Sequence, residues 1–265
     1  MKAHISIDKQ TRHKGFRNLL SGLLLSIASI TSVSTQAMEV DELIRHIDEL
    51  WRGSTSHSMM SMSVKTQRYQ RNMSMETWSH GKDYSLISIR KPIKDKGIAT
   101  LKVKQNIWNY LPKINRVTKV PSSMMSGSWM GSHFTNDDLV KENTYSEDYL
   151  SSISFEGDRN GKLIYEITSI PKPNAAVVWG KVVTQIEQES LVPYVSQYFD
   201  ESGKLVRTMT MDQPRKIGSR IVPMRMILQP HDKPTESTVV TYENIEFDIP
   251  LATSFFSLQR LRSNR

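Results

Sequence analysis

The spacing of apolar residues along the chain changes once, just after an early helical stretch. Residues 39–52 form the clearest predicted helix, because apolar residues recur there every three to four positions and Gly53 follows the end. The apolar stripe consists of Val40, Leu43, Ile44, Ile47, Leu50 and Trp51. Charged residues occupy the opposite side, so this helix is amphipathic and must pack its stripe against a sheet or another helix.

After this helix, apolar and polar residues alternate with a period of two, which predicts β-strands. The predicted strands are 58–65, 73–78, 84–90, 99–104, 106–111, 152–156, 163–169, 181–187, 194–199, 205–211, 221–228 and 238–247. Short turns at 157–161, 200–203, 215–218 and 230–234 favour hairpin connections. We therefore expect an α+β fold, in which helices cover the concave side of a curved antiparallel sheet.

The first 37 residues have the order of regions found in a secretory signal peptide. Five basic residues precede the apolar run 19–30, and Thr35 and Ala37 supply the small residues that signal peptidase reads. The apolar run is shorter than the roughly 20 residues that a membrane-spanning helix needs. We expect export to the periplasm and cleavage before Met38, which leaves a single domain over residues 38–265.

Composition limits the remaining classes of function. The chain has no cysteine, which excludes disulfides, thiolate metal sites and a lipid-modified N-terminal cysteine. Its formal charge is +8, and half of that lies in the leader, where five basic residues face one acid. The rest is only mildly basic, so an anionic lipid headgroup or an acidic protein is a better partner than nucleic acid.

Four pairs of methionines stand two residues apart, each pair on a different predicted strand. The pairs are Met60 and Met62, Met73 and Met75, Met209 and Met211, and Met224 and Met226. Residues two apart on a strand point to the same face of a sheet. These flexible side chains could line a cavity that adapts to alkyl ligands, or they could simply fill an irregular core.

Two segments carry a family resemblance. Residues 106–142 read as strand, turn, strand, apolar loop and short helix, and residues 238–261 read as a strand followed by a Phe-Ser-Leu closing loop. The first segment carries Trp108, Tyr110, Leu111, Pro112, Lys113, Arg116, Val117, Met130, Gly131, Ser132, Phe134 and Asp138. Together these segments resemble the LolA-like outer-membrane lipoprotein-sorting proteins of the periplasm, a group often associated with RND-type exporters.

The resemblance implies an open, unclosed β-barrel of LolA/LolB type, with an apolar cavity between the helices and the sheet. We expect Trp108 and Tyr110 to line that cavity together with the methionines. The implied function is that of a monomeric, non-enzymatic carrier without a cofactor. It would bind the acyl chains of a lipoprotein or lipid and deliver them toward the outer membrane. The alternative is an accessory or sensory module, similar to RseB-like regulators, that docks on an inner-membrane transporter or regulator.

The loop 120–134 combines large apolar residues with serines and glycines. Its apolar members are Met124, Met125, Trp129, Met130 and Phe134. Contact area without rigidity is typical of a lid over a cavity, and on that interpretation the loop contributes little to the core. The alternative is a surface loop with a fixed structural role.

Two groups of basic residues fall near predicted strand ends. The groups are Lys113, Arg116 and Lys119, and Arg215, Lys216 and Arg220. They could form a rim that attracts phosphate headgroups or a partner protein, or they could be ordinary solvated surface. Arg207 and Arg225 lie inside predicted strands, where a buried arginine would need an acidic partner.

Motifs for catalysis and metal binding are weak. Ser126, Gly127 and Ser128 lack the residues that flank a nucleophile elbow, and Ser88 with Lys91 matches a serine-lysine spacing only by chance. His133 with Asp137 and Asp138 could bind a cation. A helix start is the better interpretation of that cluster, with Asn136 or Asp137 as its N-cap. We therefore expect neither an enzyme nor a metal site.

Overall fold

The computed structural model describes residues 39–141 and 145–263. The predicted signal peptide lies outside the described residues. The first element is the helix α1 (Val40–Glu49), whose chain turns away at Gly53. Gly53 has a positive φ of 55°, and a side chain there would approach Phe247 and Asp248 to 3.3 Å. Glycine is therefore the residue that best fits the end of this helix.

Thirteen strands follow and form one antiparallel sheet. They are β1 (Thr55–Lys65), β2 (Gln70–His80), β3 (Tyr84–Lys91), β4 (Ala99–Val103), β5 (Asn106–Leu111), β6 (Arg116–Lys119), β7 (Tyr149–Arg159), β8 (Lys162–Pro171), β9 (Lys181–Glu187), β10 (Pro193–Phe199), β11 (Leu205–Ile217), β12 (Arg220–Pro230) and β13 (Ser237–Phe247).

The strand order is β6-β5-β4-β3-β2-β1-β13-β12-β11-β10-β9-β8-β7. Every neighbour is the next strand in the chain except for β1 and β13, which pair across nearly the whole sequence. The terminal strands β6 and β7 have one neighbour each, so the sheet is not closed. The predicted open antiparallel architecture is confirmed.

The predicted turn at 215–218 is wrong in its extent. Arg215 and Lys216 belong to β11, where they pair with Val222 and Ile221 of β12. The turn is shorter than expected because Gly218 takes a positive φ of 61° and allows the chain to reverse within two residues.

The register assigns the methionine pairs to one face of the sheet, called here the inner face. Met62 lies opposite Met73 on β2 and opposite Val240 on β13, and Met226 lies opposite both Val240 and Met211. This row crosses five strands and forms the centre of the largest apolar cluster. The core of the molecule therefore lies on the inner face, where the two halves of the sheet meet.

Helices cover both faces unequally. On the inner face, α1 packs Leu43 and Ile44 against Ile167 and Ile186 of β8 and β9. The short helices α2 (Asn136–Lys141) and α3 (Tyr145–Asp148) lie between β6 and β7 in the chain. On the outer face, the last helix α4 (Leu258–Ser263) packs Leu261 beside Leu86 and Leu101. No helix among the described residues is long and apolar enough to cross a membrane.

Candidate functional site

A cavity of about 140 Å³ lies between the inner face of the sheet and the segments that cover it. Its apolar walls come from α1 and the turn after it, the loop before α2, α2, the segment before β9 and seven strands. The apolar lining residues are Ile44, Ile47, Trp51, Met60, Met75, Ile87, Trp129, Phe134, Leu139, Trp179, Pro193, Met209, Met211, Met226, Val240 and Tyr242. The stripe of α1 is thus divided, with Leu43 in the core and Ile44, Ile47 and Trp51 at the cavity.

Five of the eight paired methionines line this cavity, namely Met60, Met75, Met209, Met211 and Met226. The other three share the inner face but lie outside the lining. Met62 and Met73 are buried in the central cluster, and Met224 is buried in a separate cluster with Val222 and Ile245. The cavity therefore has an unbranched, polarisable floor that continues into a methionine-rich core.

The expected cavity positions of Trp108 and Tyr110 are wrong, because both residues lie on the outer face. Trp108 pairs with Leu101, which pairs with Leu86 and so continues the outer-face row. Both aromatic residues pack in the cluster beneath the C-terminal segment. Trp108 and Tyr110 thus pack against the closing segment (residues 248–263) on the outer face of the sheet.

Trp129 and Phe134 of the loop 120–134 form part of the cavity wall. Trp129 is only 5% exposed, packs in the central cluster and donates a hydrogen bond from Nε1 to Thr100 Oγ1 at 3.1 Å. The interpretation that Trp129 adds little to the core is therefore wrong. Its indole joins the loop to β4 across the inner face.

Further hydrogen bonds hold the C-terminal part of the loop. Tyr69 Oη donates to Gly131 O at 2.6 Å, and Arg71 Nη1 donates to Met130 O at 3.1 Å. His133 donates from its backbone N–H to Thr238 Oγ1 at 3.0 Å. The loop is thus joined to the β1–β2 turn and to β13, and any opening requires these bonds to break.

The three methionines of this loop do not line the cavity. Met124 is 58% exposed, Met125 is half-buried, and Met130 packs on the central cluster from outside the lining. Their sequence spacing resembled that of the cavity residues, but only Trp129 and Phe134 point inward. The loop therefore covers the cavity with two aromatic side chains.

Helix α2 begins with a reciprocal capping arrangement. Thr135 Oγ1 accepts a hydrogen bond from the backbone N–H of Asp138 at 3.1 Å, and the Asp138 carboxylate accepts one from the N–H of Thr135 at 2.7 Å. The N-cap is therefore Thr135, and the assignment to Asn136 or Asp137 is wrong. Asn136 instead donates its side-chain amide to the carbonyls of Met124 and Gly127.

The capping carboxylate of Asp138 also binds the one arginine in the cavity lining. Arg207 of β11 is 5% exposed and donates from Nη1 and Nη2 to the two oxygens of Asp138 at 2.8 and 2.5 Å. Its guanidinium carbon lies 4.2 Å from the ring centre of Trp179 and 4.4 Å from that of Tyr198. Burial has the largest single effect and lowers the pKa of Arg207, but the charge and hydrogen bonds of Asp138 together with the nearby tyrosines outweigh it, so the net shift is upward.

One donor of this arginine is unused. Arg207 Nε is buried and has no hydrogen-bond partner among the described residues. A buried N–H without a partner costs free energy. The cavity therefore has a polar end at which an oxygen atom of a bound molecule would be stabilised.

Tyrosines complete this polar end. Tyr145, Tyr149 and Tyr198 all line the cavity, and Tyr145 donates from its hydroxyl to the Tyr198 hydroxyl at 3.5 Å. Burial raises the pKa of Tyr145 and Tyr149, and the charge of Asp137 raises that of Tyr149 further. The hydroxyls of Tyr145 and Tyr149 therefore stay protonated at neutral pH.

Sequence reasoning missed the aromatic part of the polar end. Trp179 lies in a segment without periodicity, and Tyr145 lies in the single turn of α3. The one available signal was Arg207 inside a strand pattern, which required a partner that the sequence did not identify. Arg225, the other strand arginine, is paired with Asp212 on the outer face and is partly exposed.

The two predicted basic groups do not form one rim. Lys113 and Arg116 lie at the end of the sheet where β1 meets β2, whereas Arg215, Lys216 and Arg220 lie at the opposite end. Lys119 lies along β6 with its ammonium 5.8 Å from the ring centre of Trp108. Arg220 approaches the carbonyl of Glu49 and the ring of Phe247.

The side chains of the possible cation cluster around His133 bond to other protein groups. The His133 ring bonds to Thr238 Oγ1 at 2.8 Å and to Glu236 Oε2 at 3.0 Å, while Asp138 binds Arg207. Within 39–141 and 145–263 no three histidine, aspartate or glutamate side chains are grouped to hold a metal ion.

A protein-family model whose members are described as uncharacterized proteins matches residues 81–263. The chain belongs to this family. The matched part begins at the β2–β3 turn and includes the loop 120–134, helix α2, Arg207 and the closing segment. No curated protein matches the sequence.

Solved structures share the fold. A DUF1329 family protein from Desulfovibrio piger superposes with a TM-score of 0.76 at 22% identity, covering 83% of this chain and 97% of its own. An outer membrane lipoprotein-sorting protein domain from Vibrio parahaemolyticus gives 0.74 at 22% identity, covering 84% and 97%. A LolA superfamily protein from Nitrosomonas europaea gives 0.72 at 18% identity, covering 84% and 100%. The predicted LolA-like identity is confirmed at the level of the fold.

Proposed function

We propose that this protein is a non-enzymatic periplasmic carrier that binds acyl chains of a lipid or lipoprotein and delivers them toward the outer membrane. The observation that carries the proposal is the cavity, because a methionine floor faces an amphipathic helix and two aromatic side chains across an apolar space. The LolA-like fold supports the periplasm as the place of action and acyl chains as the cargo. An inner-membrane RND-type transporter is the proposed docking partner, and the carrier acts as a monomer.

The energetics of acyl transfer explain why such a cavity is useful. Moving an acyl chain from a membrane into water costs about 0.8 kcal/mol per CH₂, so a chain of about 16 carbons costs on the order of 12 kcal/mol. A carrier must offset most of this cost and still release its cargo. Contact with polarisable, unbranched side chains provides the first requirement without a rigidly shaped pocket.

The volume of the cavity indicates that binding requires rearrangement. At about 140 Å³, the space is smaller than the roughly 300–1,000 Å³ typical of ligand pockets. Met60, Met75 and Met226 each have several rotatable bonds and can move aside at low cost. We infer that the cavity enlarges as an acyl chain enters it.

The polar end defines how the cargo is oriented. Asp138 already neutralises Arg207, so a free carboxylate gains little net attraction there. A neutral carbonyl oxygen can accept the remaining Nε–H without adding charge. The cavity therefore favours esterified or amide-linked acyl groups over free fatty acids. Displacement of a bound fluorescent acyl probe by methyl palmitate and by palmitate tests this preference, and stronger displacement by palmitate would contradict it.

Two adjacent methionines provide a matched test of the cavity itself. Met60 lines the cavity, whereas Met59 lies on the outer face opposite Glu76. Glutamine is close to methionine in length but introduces an amide that finds no partner in an apolar cavity. Burial of such a group costs about 1–3 kcal/mol, so Met60→Gln should weaken binding of the acyl probe about 5- to 150-fold.

Met59→Gln is the control and should bind the probe within about twofold of wild type, since its side chain does not reach the cavity. Fluorescence titration gives both affinities, and thermal denaturation verifies that the variants fold. Equal binding by the two folded variants would mean that the acyl site lies elsewhere.

A further inference from the structure

Three consecutive turns at one end of the sheet form a continuous basic surface. They are the β1–β2 turn (65–71), the β3–β4 turn (91–97) and the β5–β6 turn (111–116), together called here the basic turn surface. These turns contain eight lysines and arginines and one acid, Asp95. Asp95 is paired with Arg71 at 3.0 Å, which links the first turn to the second.

The other half of the sheet has a different charge at the same end. Its three turns, 171–180, 199–205 and 230–237, contain three lysines and four acids. The register places all six turns at one end, since Lys65 lies opposite Ser237 and Arg207 lies opposite Pro230. The turns of the β1–β6 half carry a net charge of +7, and the turns of the other half carry −1. The positive charge is therefore confined to the β1–β6 half of this end.

Apolar side chains project from the same three turns. Ile93 is 91% exposed and Ile114 is 62% exposed, and Tyr69 and Leu111 are also exposed. Lys94 and Lys96 follow Ile93 in the second turn, and Lys113 adjoins Ile114 in the third. Isolated exposed apolar residues are common, but one at each of three adjacent turn tips, surrounded by cations, is a specific arrangement.

We infer that the basic turn surface docks on an anionic lipid bilayer. Lysines and arginines near a membrane surface are attracted to anionic headgroups, while apolar side chains at the tips enter the boundary between headgroups and acyl chains. An acidic protein would satisfy the cations but would not require Ile93 to stand clear of the fold. The combination of charge and exposed apolar tips therefore favours a lipid surface.

Docking would bring the cavity cover close to the membrane. Tyr69 and Arg71 of the first turn hold the loop 120–134 through the carbonyls of Gly131 and Met130. Trp129 and Phe134 of that loop form part of the cavity wall. The proposed surface is therefore joined directly to the segment that covers the proposed acyl site, although docking itself does not depend on that site being correct.

Vesicle binding tests the inference with a pair of charge-matched variants. Lys94→Glu/Lys96→Glu alters the basic turn surface, and Lys204→Glu/Lys233→Glu makes the same charge change in exposed turns of the other half. Each cation removed from a membrane surface lowers affinity about fivefold, so the first variant should bind vesicles containing phosphatidylglycerol at least tenfold more weakly. The second should stay within about twofold of wild type.

Two further measurements distinguish a lipid surface from an acidic protein as the docking partner. Ile93→Ser keeps every charge and should weaken vesicle binding about threefold or more, but should leave binding to polyglutamate unchanged. Wild type should bind vesicles of phosphatidylcholine alone far more weakly, and added salt should weaken the phosphatidylglycerol complex. Binding to polyglutamate without binding to vesicles would overturn the inference in favour of an acidic protein partner.

Met60→Gln distinguishes docking from acyl binding. It should bind the acyl probe about 5- to 150-fold more weakly and yet bind phosphatidylglycerol vesicles as wild type does, because Met60 lies inside the cavity. Loss of vesicle binding in Met60→Gln, or equal binding by the two charge-matched variants, would show that vesicles are held by the cavity and not by the turns.

Discussion

The floor and the polar end of the cavity are stabilised by opposite kinds of contact. The floor consists of methionines such as Met60, Met211 and Met226, which make many weak contacts and no directional ones. The polar end joins Arg207 to Asp138 and places the guanidinium against two aromatic rings that contact each other. Weak contacts can be exchanged one at a time, whereas a buried ion pair is either intact or broken. The floor can therefore adapt to cargo, while the polar end holds α2 at a fixed position on the sheet.

The largest expected effect is at the polar end. Asp138→Ala leaves the buried guanidinium of Arg207 without its counter-charge, which should cost about 3–5 kcal/mol in the free energy of unfolding. Asp212→Ala, on the same strand as Arg207, breaks the partly exposed pair with Arg225 and should lower the free energy of unfolding much less. Urea denaturation measures both values.

The double variant Asp138→Ala/Arg207→Met sharpens this comparison. Removal of both charges should restore a large part of the lost stability, because no buried charge then remains without a partner. If the double variant were no more stable than Asp138→Ala, the loss would arise from the helix cap of Thr135 and not from the ion pair.

The next effect concerns the loop that joins the two regions. Trp129→Ala removes a buried indole and its hydrogen bond to Thr100, and should cost about 3 kcal/mol, at the low end for such substitutions. Met124→Ala in the same loop should cost under about 0.5 kcal/mol, because Met124 is exposed. Thermal denaturation of ligand-free protein compares the two. Equal losses would mean that the loop is held as a unit by its backbone bonds.

Alkaline pH should destabilise the polar end through Tyr149. The pKa of Tyr149 is raised in the folded state, so its contribution to stability is complete below the unfolded pKa of about 10 and is lost as the pH rises toward the folded value. The free energy of unfolding should then fall by about 1 kcal/mol per pH unit from this group above pH 10. Tyr149→Phe should show a shallower slope than wild type in urea titrations at pH 9 to 11. Identical slopes would place the hydroxyl in solvent.

The faces of the strands were predictable from the sequence, whereas the depth of each side chain was not. Met60 and Met62 share a face because the backbone of a strand alternates, and this needs no knowledge of the rest of the fold. Whether each borders the cavity depends on what α1 and the loop 120–134 cover, which is set by distant contacts. Arg207 and Asp138 are 69 residues apart, so the pair could not be read from local pattern. Alternation along β5 places Trp108 and Tyr110 on one face of the sheet, but it does not identify which face carries the cavity.

The smallest effect on stability, and the sharpest test of an adaptable floor, comes from methionine-to-leucine exchange. Met226 borders the cavity, whereas Met62 lies in the packed core. Replacing either with leucine should lower the free energy of unfolding by less than about 1.5 kcal/mol, because the side-chain volume is nearly conserved. Leucine is branched and has fewer rotatable bonds, so at position 226 it should narrow the range of acyl lengths that bind while leaving the best ligand nearly unaffected. At position 62 it should leave that range unchanged. Titration of each variant with probes of different chain length measures the range. If Met62→Leu narrowed the range as much as Met226→Leu, adaptability would be a property of the whole core and not of the cavity floor.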